Sequence, residues 1–146
     1  MAAFTAQTHI LTHAAVLAML TAGVAEAERI GQPQCIVIVD ASGETLAQIR
    51  MTGAKYLSLH SARTKARTAA SIGAESASIP EHVGLLIAAA TDGAVTRLGG
   101  GLPIRVDGHL VGGIGVGSGS PDQDIAVARA ALAVLGPTSD PLGTLD

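Results

Sequence analysis

Tryptophan is absent from this chain, and Phe4 and Tyr56 are the only aromatic residues among 146. A core without rings has to be filled by Ala, Val, Ile and Leu, and small side chains bring backbones close together. The same shortage leaves no ladder of aromatics on which nucleic-acid bases could stack. Cysteine occurs once, at Cys35, so no disulfide can form within the chain and nothing requires an oxidising compartment. Charge is scarce, at 14% of residues, and basic residues do not dominate it: 9 Lys and Arg against 12 Asp and Glu give a formal charge of −3. Binding to a phosphate backbone draws on a concentrated basic surface, so no nucleic-acid partner is expected. Long apolar runs are missing as well. No stretch reaches the roughly 18 apolar residues of a membrane span, and Met1 to Gln7 lacks the positive and apolar regions of a secretory signal. The expectation is a cytoplasmic protein with no membrane partner.

What is there is small and apolar. Hydrophobic residues make up 48% of the chain and the mean hydropathy is +0.44. A domain of this size would expose more apolar surface than a monomer usually carries, which predicts a homo-oligomer. The length suits one domain, taken as 1–146, with its core over 8–135 and a loose or docked tail over 136–146.

Periodicity and punctuation predict the elements. From Thr8 to Arg29, Ile10, Ala14, Leu17, Val24 and Ala25 recur at helical spacing, and Gly31 and Pro33 end the helix. Cys35 to Val39 is a continuous β-branched run, and Thr45 to Met51 alternates in polarity. With Asp40-Ala41-Ser42-Gly43 between them they form a hairpin. The first strand should be covered on both faces, and the second should turn Gln48 and Arg50 outward. Tyr56 to Ile72 has no Gly or Pro and reads as a second helix ending at Gly73. Its face Ser58, Ala62, Lys65, Ala69 and Ile72 places a lysine among small neighbours, so Lys65 either snorkels to the edge or points into a pocket. Glu81 to Ala90 is a short helix. Ala94 to Leu98, Leu102 to Val106 and His109 to Val116 are three strands, the last two joined by the hairpin turn Asp107-Gly108. Ser120, Pro121 and Gln123 start the final helix with a capping box. The order predicts an α/β protein of the α+β type, with an antiparallel five-stranded sheet flanked by helices.

Few residues offer chemistry. His9 and His13 stand four apart on the predicted first helix, where they could bracket a metal; the plainer reading makes them surface residues. Gly99, Gly100 and Gly101 could bring backbone N–H groups to an anion, or simply form a tight connection. Gly112, Gly113 and Gly115 permit close approach of a backbone or a ligand. Arg50, Arg63, Lys65 and Arg67 are candidates for pairing with a carboxylate. No nucleophile motif occurs, and Cys35 reads as a buried small hydrophobe.

Taken together, Ile38-Val39-Asp40-Ala41-Ser42-Gly43, Arg50-Met51-Thr52-Gly53-Ala54, Thr64-Lys65-Ala66-Arg67-Thr68-Ala69, Gly99-Gly100-Gly101-Leu102-Pro103-Ile104 and Gly112 to Gly119, with Asp122-Gln123-Asp124 after them, resemble the GlcG/HbpS family. The resemblance implies a profilin-like fold, oligomers and, in some members, haem binding. Other members are C-terminal domains of corrinoid adenosyltransferases, or are encoded beside small-acid catabolic enzymes. It places the family's helix lysine on Lys65 and its glycine loop on Gly99, Gly100, Gly101 and Pro103, with His13, His9 and His60 as candidate haem ligands. Two functions follow as expectations. One is a module that binds haem or another small anionic molecule near Arg50, Lys65 and the glycine loop. The other is an enzyme of small-acid or aromatic catabolism in which Lys65 moves a proton and the loop holds an oxyanion.

Overall fold

The computed structural model describes residues 1–137; residues 138–146 of the expected tail lie outside them. The chain runs α1 (His13–Arg29), β1 (Cys35–Asp40), β2 (Thr45–Arg50), α2 (Leu57–Ile72), α3 (Glu81–Ala90), β3 (Gly101–Val106), β4 (His109–Gly117) and α4 (Pro121–Leu132). The strands form one antiparallel sheet in the order β2-β1-β4-β3.

The sheet therefore has four strands among the described residues, not the five of the expected profilin-like sheet. The missing strand is 94–98, whose backbone bonds to hydroxyls instead of a neighbouring strand. Val95 N donates to Thr91 Oγ1, Thr96 N to Thr68 Oγ1 and Leu98 N to Thr96 Oγ1, while Leu98 O accepts from Ser76 Oγ at 2.6 Å. Once these groups are satisfied, no ladder is needed to satisfy them. β3 is left as the edge, the position in a sheet where a proline such as Pro103 is tolerated.

Local signals place the other elements. Asp40 Oδ1 accepts from the backbone N–H of Ser42 and Glu44 and so shapes the first hairpin turn. Asp107 and Gly108 have φ of 50° and 79°, the left-handed pair that a two-residue hairpin requires. The capping box of Ser120 and Gln123 is present. β1 is buried along Cys35 to Val39, and Gln48 and Arg50 are exposed on β2, as the pattern predicts.

Helices cover both faces of the sheet. Ile36, Ile38, Leu102, Ile104, Ile114 and Val116 face α1 and α4. Cys35, Val37 and Val39 face Ala62, Ala66 and Ala70 of α2. On the α2 side β4 presents glycines: a Cβ on Gly113 would overlap the Ala66 carbonyl, and one on Gly115 the Ala62 carbonyl. The close approach suggested by these glycines is that of helix backbone to strand backbone.

Two features of α1 differ from expectation. The helix starts at His13, not Thr8, because Thr12 adopts extended backbone and its hydroxyl accepts from Ala15 N. Its core face is Val16, Met19, Gly23 and Ala27, whereas Ile10 and Leu17 are 79% and 58% exposed. The helix carries apolar residues on two sides, so periodicity alone could not choose between them.

Candidate functional site

Lys65 points inward. Its side chain is 6% exposed and its ammonium donates to Asp124 Oδ2 at 3.0 Å and to the Val116 carbonyl at 2.8 Å. The other carboxylate oxygen of Asp124 accepts from Gly119 N. This ion pair ties α2, on one face of the sheet, to β4 and to the first turn of α4, on the other. Gly100 makes room for it, with φ of 116°, since a Cβ there would come within 3.2 Å of Lys65 Nζ and 2.7 Å of the Val116 carbonyl.

The structure thus brings Lys65 together with Gly100 and Gly101, but packs them against one another. Gly101 N donates to Ser76 Oγ, and Val116 N donates to Gly100 O. Pro103 is buried in β3, and Arg50 is exposed at the end of β2. Asp124 escaped the sequence reading, in which it served only as part of a helix start. The signal was a lysine predicted on a small apolar face, which needs an acid. Cys35 donates to the Lys55 carbonyl at 3.5 Å. Burial pushes its thiol up, Arg50 draws it back in part and Asp124 adds to the rise, so it is held as a thiol and not as a nucleophile.

The histidines do not converge. With α1 starting at His13, His9 lies in the segment before the helix and stacks on His109, the ring centroids 3.9 Å apart. His13 is exposed at the first position of α1, and His60 lies on α2, across the sheet. Among the described residues no three His, Cys, Asp or Glu side chains could hold a metal ion together. No helix there is long and apolar enough to cross a membrane.

Around His13 the surface is apolar. Ala14, Leu17 and Ala18 are all exposed on the side of α1 away from the core, and Ile10, in the segment before the helix, is exposed too. His60 sits differently, at the rim of a cleft of about 250 Å³ lined also by Arg63, Arg67 and Asp92.

A family model described as haem degrading protein HbpS-like matches residues 11–133. Protein GlcG of Escherichia coli is 35% identical over 127 residues, covering 86% of this chain and 95% of its own length. Corrinoid adenosyltransferase PduO of Citrobacter freundii is 33% identical over 132 residues and 87% of this chain, but the chain spans only 37% of that protein. The crystal structure of a PduOC:heme complex superposes with a TM-score of 0.83 at 28% identity, covering 90% of this chain and 100% of the other. A double mutant of Streptomyces reticuli HbpS gives 0.82 at 34% identity, covering 90% and 91%. Sequence and fold agree across nearly the whole described region, and the chain belongs to the GlcG/HbpS family, whose model is the HbpS-like one.

Proposed function

We propose that this protein binds haem on the outward face of α1, with the His13 imidazole as an iron ligand and a second copy of the chain covering the porphyrin. The observation that carries this reading is the exposed apolar stripe Ala14, Leu17 and Ala18 beside the unburied His13 on α1, with Ile10 exposed just before the helix. A porphyrin needs apolar cover on its faces and an axial donor. The stripe and His13 fit those needs on one side, and aliphatic side chains do the work that aromatic rings usually do. The heme complex of a family relative supports the ligand class. Bound haem would supply an iron centre; the protein would supply its donor and its apolar cover.

Lys65 has no part in this site. A base or acid needs access to a substrate, and the Lys65 ammonium is enclosed between Asp124 and the Val116 carbonyl. This burial favours the binding reading over the enzyme one. A haemin titration followed in the Soret region tests it. Wild type should show a saturable band of fixed stoichiometry that shifts or vanishes in His13→Ala and persists in His60→Ala. Weak, unsaturable binding indifferent to His13 would refute the assignment.

Association of copies is supported separately by α3. Only Gly84 of this helix is buried, while Leu85, Leu86 and Ile87 are 87%, 69% and 37% exposed. A helix apolar on all sides is ordinarily enclosed, and covering one such leucine is worth about 1.5–3 kcal/mol. Light scattering on the purified protein should therefore report an oligomer, and the double substitution Leu85→Asp/Leu86→Asp should give a folded species of lower mass. A wild-type monomer, or an unchanged mass in the variant, would count against it.

A further inference from the structure

The cleft at His60 lies on the other side of the sheet from α1, along the outer face of α2. That helix contains no acidic residue, and His60, Arg63 and Arg67 line up on its exposed side at spacings of three and four. Two cavities adjoin there. The smaller, of about 250 Å³, is lined by His60, Arg63 and Arg67. The larger, of about 540 Å³, shares Arg67 and Ala94 with it and has Ala70, Val95 and Leu110 in its walls. The β1–β2 turn closes one side: Gly43, at φ of 83°, lies so near Arg67 that a Cβ would come within 3.3 Å of its Nε.

The charges in this cleft are unanswered. Three ion pairs form among the described residues, Glu26 with Arg29, Lys65 with Asp124 and Glu75 with Arg129, and neither Arg63 nor Arg67 takes part. Asp92, the acid lining the smaller cavity, is not within ion-pair distance of either. Like charges four apart on a helix repel, so two adjacent unpaired guanidinium groups are a cost that a bound anion would remove. Guanidinium groups match the planar geometry of a carboxylate, and the wall beyond Arg67 presents Ala70, Ala94, Val95 and Leu110 beside the hydroxyl residues Ser42, Ser71 and Thr91.

We propose that this cleft is a binding site for a small organic acid, with its carboxylate between Arg63 and Arg67 and its apolar body against Ala70, Val95 and Leu110. Inorganic phosphate matches the guanidinium groups but leaves the apolar part of the wall unused. The site is independent of the α1 surface, because α2 and α1 pack on opposite faces of the sheet.

Titration with 2-naphthoate, followed by amide chemical shifts and by calorimetry, tests the proposal. Saturable binding should perturb the amides of 42–43, 63–71 and 91–95. It should weaken at least tenfold in Arg67→Ala and in Arg63→Ala, both exposed positions whose substitution should leave the fold intact. The uncharged 2-naphthamide and inorganic phosphate should each bind at least tenfold more weakly than the acid. His13→Ala should bind 2-naphthoate as wild type does, which separates failure of this site from failure of the haem reading. No saturable binding, binding unaffected by both arginine substitutions, or phosphate binding as tightly as the acid would each overturn it.

Discussion

Asp124→Ala is expected to destabilise the protein by about 3–5 kcal/mol, the usual consequence of leaving one member of a buried ion pair without its partner. The Lys65 and Asp124 side chains are only 6% and 4% exposed, so water cannot replace the lost carboxylate. The substitution also takes an acceptor from Gly119 N. Removing both charges together should cost far less. In Lys65→Met/Asp124→Leu no charge remains to be solvated, and apolar replacement of a buried pair is often close to neutral. Urea unfolding of wild type, both single variants and the double variant forms the cycle that measures this coupling. Single and double variants of equal stability would show that the pair does not hold α2 to α4.

Gly115→Ala should be comparably damaging for a purely steric reason. The added methyl would overlap the Ala62 carbonyl; a Cβ is fixed by its own backbone and the carbonyl is backbone too, so no rotamer change can relieve the clash. Overpacking typically costs 1–3 kcal/mol and occasionally more; here the loss should reach about 3 kcal/mol. Gly23→Ala is the informative contrast. Its Cβ would meet Ile36 Cδ1 at 2.9 Å, the movable end of a side chain, and the alanine gains about 1 kcal/mol of helix propensity. The midpoint of urea unfolding should therefore fall steeply for Gly115→Ala and little for Gly23→Ala. Equal effects would mean that α2 does not rest on the β4 backbone.

What could be read from the sequence was mostly local chemistry. Asp40 to Gly43, Asp107-Gly108 and the Ser120–Gln123 capping box each carry their geometry within a few residues, and each forms as read. The misread features depend on distant parts of the chain. Residues 94–98 look like a strand until Thr68 and Ser76 offer their hydroxyls to that backbone. The outward stripe of α1 looks like its core face, because Leu17 and Met19 are both apolar and only the sheet beneath decides between them. For the site, the residues of the family resemblance were legible but their partners were not: Asp124 stands 59 positions from Lys65, and the start of α1 at His13 separates two histidines that sequence spacing had placed together.

The proposed function assigns haem binding to the α1 surface, and Lys65 serves the architecture. The most direct test is one haemin titration run side by side on His13→Ala and on Lys65→Met/Asp124→Leu. The account predicts that the first loses or shifts the Soret band while the second keeps the wild-type spectrum and stoichiometry. A normal band in His13→Ala together with a lost one in the folded double variant would contradict it and return the ligand to Lys65.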